Sequence, residues 1–184
     1  IRFFSNWLAK GDYHGVNKLF GTSMSFYGIV GFLNAVIMVV IGLLVRQIFH
    51  LNEEQGTILM HLFFILAISA FISWYTSCFD QLIKANEYVG WTEQITLLAK
   101  LIQCIVLVLT LTLKFNIETF YALTTYSMFI VIPFCIYKIK KLCPYIKFHP
   151  HFDKAVFKEI LPYSLNIFSF GIFQFSFYNL RPVF

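Results

Sequence analysis

Charge is what this sequence has least of. Only 12% of its 184 residues are Asp, Glu, Lys or Arg, and just nine are acidic. A soluble domain of that length exposes more surface than so few charges can cover, which excludes the water-soluble globular class. Also missing is the pairing of cysteines that marks a metal or redox centre. Cys78, Cys104, Cys135 and Cys143 stand alone, mostly in apolar runs, with no CxxC or Cys/His spacing. They are expected to be unpaired thiols acting as small hydrophobes. No GxxxxGK[ST] sequence occurs, so ATP hydrolysis by that route is excluded. No nucleophile, base and orienting group share a spacing that supports catalysis. The expectation is therefore a protein that is not an enzyme and needs no cofactor or metal.

What is abundant is apolar. Hydrophobic residues make up 59% of the chain and aromatics 20%, with 23 Phe. Charge-free runs of about 20 residues mark helices that cross a bilayer. They fall at about 19–45, 57–79, 91–113 and 117–137, and a fifth begins near Leu161 and runs to Phe184. There is no basic segment followed by a short apolar core and a small-residue cleavage site, so no signal peptide is visible. The chain opens on Ile1 and stops inside an apolar run, and it is expected to be a fragment of a longer protein.

The loops orient the spans. Arg2, Lys10, Lys18, Lys84, Lys138, Lys140, Lys141, Lys147, Lys154 and Lys158 fall on one side, and only Arg46 and Lys114 on the other. The positive-inside rule makes the first side cytoplasmic, so 1–18, 80–90 and 138–160 face the cytoplasm. The connector 138–160 holds two prolines and then Asp153, placed to cap AVFKEIL. Val156, Phe157, Ile160 and Leu161 share one helical face there, which predicts a short amphipathic helix on the membrane surface before the last span. Its lysines suit contact with anionic membrane lipid, and nothing in it has the fold of a nucleic-acid binder.

A few polar residues lie at membrane depth. On the third span Glu93, Thr96, Lys100 and Gln103 recur at three and four, one stripe of a helix. A lysine at such depth costs about 2.5–3.5 kcal/mol on insertion scales, so the stripe is expected to face protein or water. Lys100 could hold a ligand, or it could be paired internally with Glu93 through another group. Ser69, Ser73, Thr76, Ser77 and Asp80 form a gentler polar line on the second span, which helix packing explains. Lys84 and Glu87 read as a solvated turn. Asn34, Asn166, Ser169 and Gln174 suit interhelical hydrogen bonds, His61 an interfacial position, and Arg181 snorkelling at the outer end.

RFFSNWLAKGDYHGVNKLF, FDQLIKANEYVGW and FDKAVFKEILPYSLNIF, in that order and spacing, resemble segments of bacterial polysaccharide flippases of the Wzx type. The resemblance covers essentially the whole chain. It implies an all-α, polytopic, MATE-like transmembrane bundle. Residues 1–137 would complete an N-terminal lobe from the end of its second span, 138–160 would be the cytoplasmic linker, and 161–184 would begin the C-terminal lobe. It implies a carrier in the bacterial cytoplasmic (inner) membrane that flips undecaprenyl-diphosphate-linked oligosaccharide for polysaccharide synthesis. Polysaccharide polymerase or export machinery would be further partners. The diphosphate calls for cations and the glycan for hydrogen-bonding groups. On this reading Lys100, Gln103, Asn34, Arg2 and Arg181 are the substrate-binding candidates, and Glu93, Asp80 and Asn166 have structural or coupling roles. A drug/cation antiporter or a lipid II flippase of the same superfamily is the alternative. An antiporter would favour acidic residues at depth, whereas the deep charge here is basic. A membrane-embedded glycan enzyme would carry larger outer loops than these.

The loop charges make a direct prediction. Single cysteines introduced in 46–56 should label from outside intact cells with an impermeant reagent. Those in 10–18, 80–90 or 144–150 should label only after permeabilisation. The reverse pattern would overturn the orientation.

Overall fold

A computed structural model describes the backbone of residues 1–180 and the side chains of that stretch apart from 167, 168 and 171–180. Among the described residues there is no strand. The elements are α1 (Arg2–Ala9), α2 (Tyr13–Phe49), α3 (Glu53–Ala85), α4 (Val89–Thr112), α5 (Ile117–Ser127), a 3-10 turn (Met128–Ile130), α6 (Val131–Leu142) and α7 (Lys154–Leu180). Four helical stretches are long and apolar enough to cross a membrane: Tyr13–Phe49, Glu53–Ala85, Val89–Thr112 and Ile117–Leu142. The described residues are all-helical, and their four long apolar helices suit a membrane protein. The fifth expected span falls on α7, and its end lies outside the described residues.

Local chemistry sets where the helices begin and end. Asp12, Asn52 and Asn116 accept hydrogen bonds from the third amide beyond them, at 2.8, 2.9 and 3.0 Å, and so cap α2, α3 and α5. Past the C-terminal ends, Gly11, His50 and Lys114 take the left-handed conformation that stops a helix. Helices α2 and α3 therefore overrun the apolar runs at both ends. A charge-free run measures hydrocarbon thickness, whereas the helix continues through polar residues until a cap or a left-handed residue stops it.

The fourth span is not one α-helix. Pro133 has no N–H to offer the Phe129 carbonyl, and its ring crowds that same turn. The chain tightens into the 3-10 turn just there, between α5 and α6.

The pairing of α2 with α3 is the most extensive in the structure. Glycines make it close. A Cβ on Gly31 would stand 2.9 Å from Trp74 Cβ and 3.1 Å from the Phe71 carbonyl oxygen, and one on Gly42 would stand 2.9 Å from Phe63 Cβ. Backbones brought this near gain dispersion energy that lipid tails cannot match. Gln81 Nε2 donates to Tyr27 Oη at 2.7 Å across the same pair.

The buried core gathers at the basic end of the bundle. Phe4, Val16, Leu19, Phe20, Met24, Cys78, Phe79, Leu82, Ile83, Cys135 and Ile139 form it, together with Cys143, Ile146 and Val156 from the connector and α7. Toward the opposite end the helices turn large apolar side chains outward, among them Ile37, Val40, Leu43, Val108 and Leu111.

Two expectations for the connector need correction. The amphipathic stretch does not end before a separate span: α7 runs unbroken from Lys154 to Leu180 with Pro162 inside it. Pro162 falls in the third turn, and it interrupts the hydrogen-bond ladder without ending the helix. Nor does its apolar face rest on lipid. Val156 is buried, Phe157 lies 5.4 Å from the Phe26 ring, and Tyr163 meets Phe3 edge-on at 5.7 Å.

Gly31→Leu should wedge α2 from α3 and destabilise the bundle by about 1–3 kcal/mol, the usual cost of overpacking. Thermal unfolding in detergent would show a clear loss relative to Gly90→Ala, whose added methyl would meet nothing within 4 Å. Equal unfolding temperatures would mean that close packing here is not limiting.

Candidate functional site

Helix α4 packs through Thr92, Thr96, Ala99, Gln103 and Thr110, which recur at threes, fours and sevens; Thr92, Ala99 and Thr110 are buried. The polar stripe of the sequence is rotated off the middle of this face. Thr96 and Gln103 lie on its packed side, and Gln103 Nε2 donates to the Thr124 carbonyl at 3.3 Å. Glu93 and Lys100 lie on its open flank, both exposed. Lys100 follows Val89 by eleven residues, about 16 Å along the axis at 1.5 Å per residue, and so sits near the middle of the helix. Its surface neighbours are Leu97, Leu101 and Cys104.

Glu93 is engaged elsewhere. Lys84 Nζ lies 3.2 Å from Glu93 Oε1 and 3.1 Å from Asp80 Oδ2, so one ammonium ties α3 to the first turns of α4. The sequence reading of Lys84 as a solvated turn misses this, because the partner comes from the next helix. Among the described residues Lys100 has no ion-pair partner. Each exposed pair at Lys84 is worth only about 0–1 kcal/mol, so it fixes geometry more than stability.

Above Lys84 opens a cleft of about 270 Å³ between α3, α4 and the α5–α6 break. Ser73, Thr76, Ser77 and Asp80 come from α3, Thr92 and Thr96 from α4, and Met128, Phe129, Val131, Ile132 and Cys135 from the opposite wall. The polar line on α3, which helix packing explains in the sequence, here lines open space. The α5–α6 break supplies the other wall, and Pro133 was its only mark in the sequence.

The remaining candidates are dispersed. Asn34 is half-buried on α2, and Asn166 is exposed on α7. The Arg2 guanidinium sits over the Tyr163 ring, 4.9 Å from its centre. Arg181 lies outside the described residues, as does the side chain of Gln174. His61 Nδ1 meets Glu118 Oε1 at 2.9 Å, linking α3 to α5 at the end away from the connector. Cys104 is exposed and the other cysteines are buried, all unpaired. Lys138 Nζ is held over the rings of Tyr88 and Trp91, 4.0 and 5.2 Å from their centres.

The connector docks on α2. Asn17 Oδ1 accepts from the Lys147 amide at 3.0 Å, the Gly21 carbonyl from the His151 amide at 3.3 Å, and Thr22 Oγ1 from the Asp153 amide at 3.1 Å. A Cβ on Gly21 would stand 3.2 Å from the His149 carbonyl oxygen, so glycine opens this seat. Asp153 accepts from the amides of Ala155 and Val156 at 2.9 and 3.2 Å, and Lys18 Nζ lies 3.5 Å from Oδ2. The Val156 amide leads in holding this carboxyl below the ordinary carboxylate range; loss of hydration opposes it, and the Ala155 amide and Lys18 outweigh that opposition together with it.

Comparison with protein-family models, curated proteins and solved structures finds no match to this chain.

The lowered Asp153 titration has a definite sign. Its contribution to docking is present above the ordinary carboxylate pKa of about 3.9 and is lost as pH falls through the lower folded value. Asp153→Ala, in a Cys104→Ala background, should speed thiol labelling of the buried Cys143 several-fold at neutral pH. Acid below pH ~3.9 should loosen 143–153 in the parent, read as faster amide exchange after correction for intrinsic rates. Unchanged labelling would show that the connector is held by its apolar contacts alone.

Proposed function

We propose that this chain serves a Wzx-type, MATE-like flippase, which carries undecaprenyl-diphosphate-linked oligosaccharide from the cytoplasmic to the outer face of a bacterial cytoplasmic membrane. The observation that carries the reading is Lys100: a cation at mid-helix, exposed, with its one acidic stripe-mate Glu93 bound to Lys84. Left in hydrocarbon it would cost about 2.5–3.5 kcal/mol. Facing a shared cavity, it meets a diphosphate. Gln103 one turn on gives one N–H to the Thr124 carbonyl and keeps its amide oxygen and second N–H for a glycan hydroxyl.

The resemblance of the three sequence segments supports the same carrier. Such a protein works by alternating access around a site near the bilayer midplane, with no covalent step. Its partners are the lipid-linked oligosaccharide, surrounding lipids and the polymerase or export machinery that takes the product. The carboxylates disfavour the drug/cation antiporter reading, because Asp80 and Glu93 sit together on Lys84 toward the basic end rather than alone at depth.

Lys100→Ala in the whole carrier should reduce surface polysaccharide export at least about tenfold, the equivalent of 1.4 kcal/mol, at unchanged membrane levels. Lys100→Arg, which keeps the charge, should restore most of it. Normal export by the alanine variant at normal protein level would sink the assignment.

A further inference from the structure

We propose that the cleft between α3, α4 and the α5–α6 break binds one uncharged saccharide ring; the inference rests on the carrier reading above and gives the glycan a seat separate from Lys100.

The cleft is built to accept hydrogen bonds. The Thr76, Thr92 and Thr96 hydroxyls donate along their own helices, to the carbonyls of Ile72, Val89 and Thr92, at 2.8, 2.8 and 2.9 Å. Each proton is thereby committed, and what remains on each oxygen is acceptor capacity. Thr92 is 4% exposed, so the more open acceptors are the half-buried Thr76 and Thr96. Asp80 gives Lys84 one oxygen and keeps Oδ1. Ser73 and Ser77 add hydroxyls that can work either way. A guest must therefore bring several donors.

Charge argues against an ion as that guest. Asp80 is the one charged side chain on the cleft wall, and one of its oxygens is held by Lys84. That pairing leaves the cleft wall itself without a free ion. The opposite wall of Met128, Phe129, Val131 and Ile132 is apolar. A polyol with one face of C–H bonds meets both walls: its hydroxyls donate to the threonines and Asp80, and its C–H face lies on Phe129 and Ile132. Size sets the number of rings. At about 270 Å³ the cleft is at the small end of ligand sites, which suits one ring.

The backbone points the same way. Non-helical backbone at membrane depth persists where it lines a cavity, and interrupted spans mark the binding sites of carriers. The 3-10 turn Met128–Ile130 lies on the cleft wall.

The test is titration of the full chain in lipid nanodiscs with glucose, galactose, mannose and N-acetylglucosamine, followed by fluorescence of Trp91 beside Thr92. At least one sugar should bind with a Kd on the order of millimolar. Asp80→Asn, which keeps the shape, and Ser77→Leu, which fills the space, should each weaken it at least about tenfold. Cys104→Ser on the outer flank of α4 should leave it unchanged. No binding by any of the four sugars, or binding that survives both cleft variants, overturns the proposal. Loss of export in Lys100→Ala without sugar binding removes this site alone, whereas sugar binding with normal export in Lys100→Ala removes the diphosphate reading alone.

Discussion

The distance between α2 and α3 is the constraint on which the other features depend. Gly31 and Gly42 let the two helices touch backbone to side-chain root along most of their length. In a bilayer, apolar surface alone gives helices no reason to associate, so this contact has to come from packing. Once the pair is formed, its basic end presents Phe20 and Phe79 side by side, 5.9 Å between ring centres, and Phe148 of the connector closes edge-on over both at 5.7 and 5.9 Å. The hydrogen-bonding seat on Asn17, Gly21 and Thr22 lies on the same half of α2. Spread the two helices, and the connector loses its aromatic floor and its polar seat together.

That dependence explains what could be read from residues alone. The all-helical class and the positions of four spans follow from charge-free length, a property of consecutive residues. Asp12, Asn52 and Asn116 are likewise local, because a cap bonds an amide three residues on. Connector docking was not legible, since Asn17 meets Lys147 and Thr22 meets Asp153 across more than a hundred residues. The lysines of 138–160 look alike in sequence, yet Lys138 rests on Tyr88 and Trp91 while Lys140 and Lys141 are exposed. The stripe on α4 was legible in spacing but not in phase. Periodicity says that Glu93, Thr96, Lys100 and Gln103 share a side, and only the neighbours say that Ala99 holds the middle of the packed one.

Lys84 has a consequence beyond its own ion pairs. Glu93 was the one acidic residue on the stripe of Lys100, and a lysine two residues before Asn86 takes it instead. The polar residues of this half of the bundle thereby separate into two groups of different character. Around Lys84 two carboxylates share one ammonium, and the hydroxyls of three threonines and two serines dominate. Around Lys100 a single cation is left with leucines. On the carrier reading proposed above, the first group would receive a neutral guest with many donors and the second an anion.

The cost of Lys100 then bears on what must cover it. Snorkelling to an interface is the common escape for a lysine near a helix end, and it requires a side chain long enough to reach headgroups. From mid-helix the nearer end is about 16 Å off, more than twice the reach of four methylenes and an ammonium. Pairing within α4 is closed off by Lys84. Replacement by any apolar residue would remove the cost at once, so its presence has to be offset by a gain realised outside the packed face of this helix. A hydrated cavity alone lowers the cost without giving a reason to carry it. On the carrier reading proposed above an anion would give one, because a charge held in a region of low dielectric attracts its partner far more strongly than it would in water.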